Sequence, residues 1–293
     1  MIVVRHIDDL EPAARAVAIG TFDGVHVGHR SVIEQARVPG LRQTVVTFEP
    51  HPRFVVGGTR VEILATVERR LELLEELGVD EVVVLHFDEA LAALDAEAFA
   101  ESVFRRAGAQ VVAAGVDFAF GQGRRGNLDV LEQLGFTVRR VPLVAGVSST
   151  RIRALLAAGE VVEAAALLGR PAEVEGTVEL GDQRGATLGF PTANLAVPAD
   201  LLVPELGIYA GSVLGHRAAV SIGTNPHYGG TTRRIEAFVL DYEGDLYGQR
   251  LVVELWERLR AEAAFESEAA LIAAIANDVD RTRDARRPGP GVF

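Results

Sequence analysis

The sequence predicts an α/β domain followed by an all-β domain, and three observations carry that reading. In the first half, short β-rich runs alternate with amphipathic helical patterns. Such alternation implies βαβ units and a parallel sheet with helices on both faces. From Gly169-Arg-Pro-Ala-Glu173 on to Gly176 the texture changes. Beyond it, short alternating runs are separated by Gly, Pro and Asp with no helices between them, the pattern of an antiparallel barrel or sandwich. The expected domains are residues 1–170 and 171–293.

In the first domain, strands are expected over residues 14–19, 44–48, 81–87, 110–115 and 137–141. Leu71, Leu74 and Leu77 recur at helical spacing behind Thr66, a suitable N-cap. Asp95 is expected to cap a second helix in which Phe99 and Val103 face inward. Ser148-Ser-Thr-Arg-Ile-Arg153 opens a further helix, capped by Ser149 or Thr150, broken at Gly159 and resumed through Leu168. In the second domain the expected strands are residues 175–180, 207–214, 218–222, 235–242 and 249–255. A final helix is expected from an N-cap at Ser267 to Val279, followed by a loose tail.

A chain of 293 residues can bury two cores. Its net charge of −12 argues against a general nucleic-acid binder, which needs a basic footprint. Small phosphorylated ligands held by a few arginines and backbone amides remain compatible with it. The absence of cysteine excludes disulfides, thiolate nucleophiles and Cys-ligated zinc. The N-terminus reaches charged residues too soon for a signal-peptide core, and no apolar run is long enough to span a bilayer. A cytoplasmic protein with no membrane partner is therefore expected. Nothing in the sequence sets the oligomeric state.

The most informative stretch is Ala18-Ile-Gly-Thr-Phe-Asp-Gly-Val-His-Val-Gly-His29. A short apolar strand runs into Gly20 and Gly24, and His26 and His29 then sit three positions apart at a helix start. Glycine lets the backbone turn and approach a ligand closely. A helix start offers free N–H groups to phosphate. An ordinary βα loop could hold two histidines; the whole string Gly20, Phe22, Asp23, Gly24, His26, Gly28 and His29 favours a phosphate site. Arg151 and Arg153 sit in a first helical turn, where a positive charge costs roughly 0.3–1 kcal/mol when exposed. A bound anion would reverse that sign, whereas arginines reaching solvent would need none.

Three further stretches carry candidate chemistry. Phe48-Glu-Pro-His-Pro52 and Gly115-Val-Asp-Phe-Ala-Phe-Gly121 each follow a strand, so both lie at the ligand edge of the sheet. The first is either a rigid turn or part of a site. In the second, Asp117 can accept hydrogen bonds while Phe118 and Phe120 flank a flat ring; alternatively the rings cover the sheet and Asp117 caps a turn. In the second domain, Gly185-Ala-Thr-Leu-Gly-Phe-Pro-Thr-Ala-Asn194 is glycine-rich but lacks the lysine of a Walker loop. Thr192 and Asn194 offer neutral oxygens that suit Mg²⁺ bound together with phosphates and water, or else they make a local turn. Glu236, between apolar neighbours in a strand pattern, is either an inward carboxylate with a task or a solvated strand residue.

With these residues in hand, the chain resembles the bacterial bifunctional riboflavin kinase/FMN adenylyltransferase (FAD synthetase) family from Gly20 to residue 283. Gly20-Thr-Phe-Asp-Gly-Val-His-Val-Gly-His29 looks like its nucleotidyltransferase signature, and Gly189-Phe-Pro-Thr-Ala-Asn194 looks like its flavokinase motif. The resemblance implies a Rossmann-like nucleotidyltransferase domain and a Greek-key β-barrel flavokinase domain with a terminal helix. It implies phosphorylation of riboflavin by ATP to FMN, then adenylylation of FMN by ATP to FAD and pyrophosphate, with Mg²⁺ as cofactor. His26 and His29 would steady the triphosphate. Gly20, Phe22, Asp23, Gly24, Gly28, Ser149, Thr150, Arg153, Gly189 and Pro191 would line nucleotide or phosphate. Asp117, Phe118 and Phe120 would hold flavin, Thr192 and Asn194 the metal, and Glu236 would take the hydroxyl proton.

The chain departs from the family pattern at Gly146 and Ala119, which replace an arginine and a longer polar or basic residue in the adenylyltransferase half. Ala186 and Phe238 replace an arginine and a histidine in the kinase half. The rival readings are a riboflavin kinase with a weak or inactive adenylyltransferase domain and a non-catalytic flavin- or nucleotide-binding regulator.

Overall fold

The computed structural model describes residues 1–58, 61–181, 184–224 and 233–289, with the Arg184 and Ala186 side chains outside the description. The departure at Ala186 therefore lies outside the described side chains. The chain forms two compact units, Met1–Ser149 and Thr150–Phe293.

In the first unit, six parallel strands form one sheet: β1 (Ile2–Val4), β2 (Arg15–Ile19), β3 (Arg42–Glu49), β4 (Glu81–His86), β5 (Ala109–Gly115) and β6 (Thr137–Val141). Five of the six coincide with the expected runs. The three-residue edge strand β1 is too short for a period-two pattern to register. The spatial order is β1-β4-β3-β2-β5-β6. After β2 the chain steps outward through β3 and β4, then returns to the other side of β2 as β5 and β6. The order therefore reverses between β2 and β5, where ligands of such sheets bind beyond the carboxyl ends. Gly20 and Val116 are the first residues past those two strands.

Residue alternation sends Val17, Ile19, Val46, Phe48, Val83 and Val112 to one face. There they meet Leu91 of α4 (Glu89–Ala93), Phe99 of α5 (Ala96–Phe99), the Val103–Phe104 pair in the π turn that continues it, and Leu128 and Leu131 of α6 (Leu128–Gln133). Ala16, Ala18, Val45, Val82, Val84 and Ala113 face the other way, against Val32 and Ile33 of α1 (Val27–Gln35) and Leu73 and Leu74 of α3 (Val67–Glu76). Strands covered on both faces read as continuous apolar runs, as these do. The expected caps are in place: Thr66 accepts from Arg69 N–H at 3.1 Å and Asp95 from Ala98 N–H at 2.7 Å. The cap expected at Ser149 or Thr150 is not, because both residues lie inside the helix α7 (Ser149–Ala157). The Ser149 hydroxyl instead donates to the Asp23 carbonyl at 3.2 Å.

In the second unit, α8 (Val161–Leu168) follows Gly159, whose φ of +78° breaks the helix as expected. Six antiparallel strands then close a barrel in the order β10-β11-β8-β7-β12-β9. They are β7 (Ala172–Glu179), β8 (Ala193–Ala196), β9 (Gly207–Val213), β10 (His216–Thr224), β11 (Arg233–Val239) and β12 (Arg250–Arg260). The sequence reading foresaw neither β8 nor the single turn α9 (Arg184–Thr187), both too short to show a period. Helix α10 (Glu268–Asp284) starts at its Ser267 cap and runs on past Val279. It is held to the barrel by Arg217, which donates to the Thr282 and Ala285 carbonyls, and by the Arg260–Asp278 ion pair at 2.7 Å.

At the amino edge of the parallel sheet, the Glu81 carboxylate is buried with Arg15. It accepts from Arg15 Nε at 2.7 Å, Arg42 Nη1 at 2.7 Å and Thr44 Oγ1 at 2.9 Å. Burial alone would raise the Glu81 pKa, but the hydrogen bonds from these three residues outweigh it and hold the group below the usual carboxylate range. A depressed acid pKa stabilises the fold above the unfolded-state value and loses that contribution as pH falls through the folded value. Glu81→Gln is expected to destabilise the first unit by about 3–5 kcal/mol, the cost of breaking a buried ion pair. It should also flatten the acid limb of the stability profile. Urea unfolding followed from neutral to acidic pH reads both effects, and an unchanged acid limb would remove Glu81 from the linkage.

Candidate active site

The loop after β2 is built so that its glycines admit aromatic rings. The Phe22 ring lies under Gly20, where an added Cβ would come within 3.2 Å of it. Phe22 and Val25 both adopt positive φ, and Gly24 takes φ of +79°. Asp23 is buried, and its carboxylate accepts from Leu64 N–H at 2.8 Å and Ala65 N–H at 3.3 Å. That carboxylate fastens the loop to a neighbouring segment. His26 is the N-cap of α1, its Nδ1 accepting from His29 N–H at 3.2 Å. The two imidazoles stack with centroids 3.5 Å apart and planes 14° apart, and Phe22 meets His29 edge-on at 5.4 Å. Gly28 leaves room for the His26 ring, since a Cβ there would approach it to 3.3 Å. The two histidines thus lie together at the expected helix start, beside the switch point of the sheet.

Arg70 lies beneath this loop and was not singled out from sequence. Its guanidinium is buried and donates from Nη1 to the Thr21 carbonyl (3.0 Å), Thr47 Oγ1 (2.9 Å) and the Phe48 carbonyl (3.1 Å). Burial lowers its pKa, against the opposing charges of Asp23 and Glu49. An arginine in the Leu73/Leu74 stripe of an amphipathic helix was the available signal. In the neighbouring Phe48–Pro52 stretch, His51 caps the short helix α2 (Pro52–Gly57), so the segment turns into a helix instead of remaining a loop.

Past β5, Asp117 is exposed and Phe118 is half-buried. Phe120 is buried and packs at 5.3 Å from Phe99 and 6.3 Å from Phe104, with the Phe118 ring stacked on it at 5.5 Å. One of the two rings therefore belongs to the core, and the other rests on it. Gly146 takes φ of +72°, a conformation that suits glycine, so the departure from arginine coincides with a turn built for that residue. Thr150 is exposed and Arg153 half-buried on the first turn of α7, in the second unit.

In the barrel, Glu236 on β11 and Asn194 on β8 are direct cross-strand partners. Ile235, Ala237 and Val239 are buried, so alternation turns Arg234, Glu236 and Phe238 to the opposite face. Glu236 points away from the barrel interior and remains 28 % exposed. Its Oε2 accepts from Thr192 Oγ1 at 3.4 Å, and its Oε1 lies 2.6 Å from Arg234 Nε. Asn194 Oδ1 accepts from Arg234 Nε at 3.0 Å and Nη2 at 2.8 Å. Sequence reading missed Arg234, although a period of two from Glu236 was signal enough. It also missed Gly181, where any Cβ would overlap the Asn194 side chain. Phe238 meets Phe190 edge-on at 5.4 Å, giving the face an aromatic flank. Gly189 takes φ of +87° and Pro191 is exposed, both on the approach to β8.

Comparison with known proteins also divides the chain into two halves. A family model described as FAD synthetase matches residues 9–153, and one described as riboflavin kinase matches residues 168–286. The bifunctional riboflavin kinase/FMN adenylyltransferase of Listeria monocytogenes is 35% identical over 294 residues, covering 94% of each chain. That of Escherichia coli K12 is 35% identical over 300 residues, covering 95% of this chain and 96% of its own. A crystal structure described as a macrolide-efflux protein from Streptococcus pneumoniae superposes with a TM-score of 0.87 at 30% identity, covering 97% of this chain and 98% of its own. Among the described residues here, no helix is long and apolar enough to cross a membrane. With both halves matched in order and relatives of both activities aligned end to end, the chain belongs to the bifunctional riboflavin kinase/FMN adenylyltransferase family.

Proposed function

We propose that residues 171–293 phosphorylate riboflavin and residues 1–170 adenylylate the resulting FMN, in the cytoplasm, where ATP is supplied. The observation that supports this most is the Thr192–Asn194–Glu236 cluster, a hydrogen-bonded carboxylate flanked by two neutral oxygen ligands. Hydroxyl and carboxamide oxygens are hard donors that suit Mg²⁺. No group of three or more His, Cys, Asp or Glu among the described residues could hold a metal unaided. Thr192 and Asn194 would therefore hold Mg²⁺ together with ATP phosphates and water. When bound, the ion neutralises charge on the transferring phosphoryl group.

Glu236 accepts the proton of the riboflavin 5′-hydroxyl as that oxygen bonds to the γ-phosphorus, and ADP leaves with the electrons of the broken P–O bond. Positioning and charge neutralisation supply most of the acceleration in such transfers. In the other reaction a phosphate oxygen of FMN attacks the α-phosphorus of ATP and pyrophosphate leaves, with no covalent enzyme intermediate. Because His26 Nδ1 is committed to His29 N–H, its contact with triphosphate runs through Nε2. Gly20, Phe22, Asp23, Gly24 and Gly28 shape that loop. Ser149, Thr150 and Arg153 contribute phosphate contacts, as the family motif implies. Phe118, supported from below by Phe120, offers its ring to the flavin, and Asp117 offers hydrogen-bond acceptors. Gly189 and Pro191 set the nucleotide approach to Thr192.

Chromatography of products formed from riboflavin, ATP and Mg²⁺ tests both halves at once; accumulation of FMN without FAD would remove adenylyl transfer. Glu236→Gln is expected to lower FMN formation by about 10²–10⁴-fold while leaving riboflavin binding and FMN-to-FAD conversion intact. His29→Ala should slow FAD formation from FMN by roughly 10²–10³-fold without slowing FMN formation. Gly181→Ala should displace the Asn194 side chain, raising the ATP KM of the kinase reaction several-fold (~1 kcal/mol,) with an unchanged melting temperature. Equal losses of both activities in any of these variants would signal misfolding of the chain, not a local role.

A further inference from the structure

Arg234 shares the face of Glu236, and neither transfer step described above uses it. Strand alternation places it there, two residues before the base. Its Nε approaches Glu236 Oε1 to 2.6 Å, and its Nε and Nη2 donate to Asn194 Oδ1 at 3.0 and 2.8 Å. A carboxamide oxygen has two lone pairs, and this one receives two N–H donors from a single guanidinium. The oxygen assigned to the divalent cation is thus already occupied by a cation of the chain itself. Arg234 and Glu236 are each 28 % exposed, so the guanidinium has a route to solvent and its grip is that of a partly screened pair.

We propose that Arg234 is the resident cation of the kinase site. It neutralises Glu236 and orients Asn194 while no metal is bound, and it withdraws from Asn194 Oδ1 when a divalent cation arrives with nucleotide. The two cations exclude each other there because the lone pairs are the same and like charges at contact repel. This role rests on the assignment of Asn194 to the metal. It makes Arg234 a positioning residue whose removal should ease metal loading, the opposite of what a phosphate-binding arginine would show.

The test is a titration of the full chain with Mn²⁺ in the presence of ADP, following the electron paramagnetic resonance signal of free Mn²⁺. Arg234→Met is expected to bind Mn²⁺–ADP roughly fivefold more tightly than the parent, the upper end for relief of a partly exposed ion pair. Unchanged binding overturns the proposal, and weaker binding overturns it in favour of a direct phosphate contact. Should Arg234→Met fail to melt cooperatively, Arg234→Lys gives the same reading. With one point donor in place of a fork it should also bind Mn²⁺–ADP more tightly than the parent, and parental or weaker affinity in that variant overturns the proposal. Asn194→Ala separates the two levels. Loss of Mn²⁺–ADP binding in it upholds the metal assignment whatever Arg234 does, and parental binding shows that the assignment itself is wrong.

Discussion

The carboxylate of Glu81 on β4 gathers donors from β2 and β3, and the register of these three neighbouring strands depends on it. Arg15 on β2, Arg42 and Thr44 on β3, and Glu81 on β4 meet at the amino edge. A buried charge of this kind is costly unless every lone pair finds a donor, so the three strands cannot slip relative to one another without exposing it. At the carboxyl edge, Arg70 performs the complementary task by tying Thr21, Thr47 and Phe48 together. Two buried arginines thus act at opposite edges, Arg15 where β2 begins and Arg70 where β2 and β3 end. The loop that carries His26 and His29 leaves from that fixed edge, and Asp23 fastens it a third time.

The barrel solves its positioning problem differently. Closure leaves no free sheet edge, and alternation along β11 then decides which residues meet. The inner set, Ile235, Ala237 and Val239, fills the core. The outer set, Arg234, Glu236 and Phe238, faces Asn194 across the β8 pairing and Phe190 beside it. Glu236, Asn194 and Arg234 therefore share one face as a consequence of register. A slip of one residue would turn all of them into the core. Gly181 adds the remaining constraint, since only glycine leaves Asn194 its place.

Fold class was legible because both halves carry strong periodic signals: the Leu71, Leu74 and Leu77 stripe, the caps at Thr66, Asp95 and Ser267, and the alternating runs after Gly176. The elements that escaped are short: β1, β8 and α9 have four residues or fewer, α4 has five, and α2 and α6 have six, below the window over which a period can be read. Of the candidate residues, His26 with His29, and Asn194 with Glu236, are recognisable along the chain because their residue types suit phosphate, metal and proton transfer. The partners that discipline them are not. Arg70 and Arg234 are ordinary arginines in the sequence, and their contacts to Thr21 and Asn194 come from 49 and 40 residues away.

The sequence by itself determined the two fold classes, the order of the motifs and the chemical types at each site, because periodicity, capping and glycine placement are local properties. Only the tertiary structure decided which rings remain available and which are core, sinking Phe120 among Phe99 and Phe104 while leaving Phe118 at the surface. It alone decided that His26 spends one nitrogen on capping α1, and that Glu236 faces outward with Arg234 already against it. Each of these depends on atoms brought together by strand pairing and burial, and neither residue type nor sequence spacing specifies such contacts in advance.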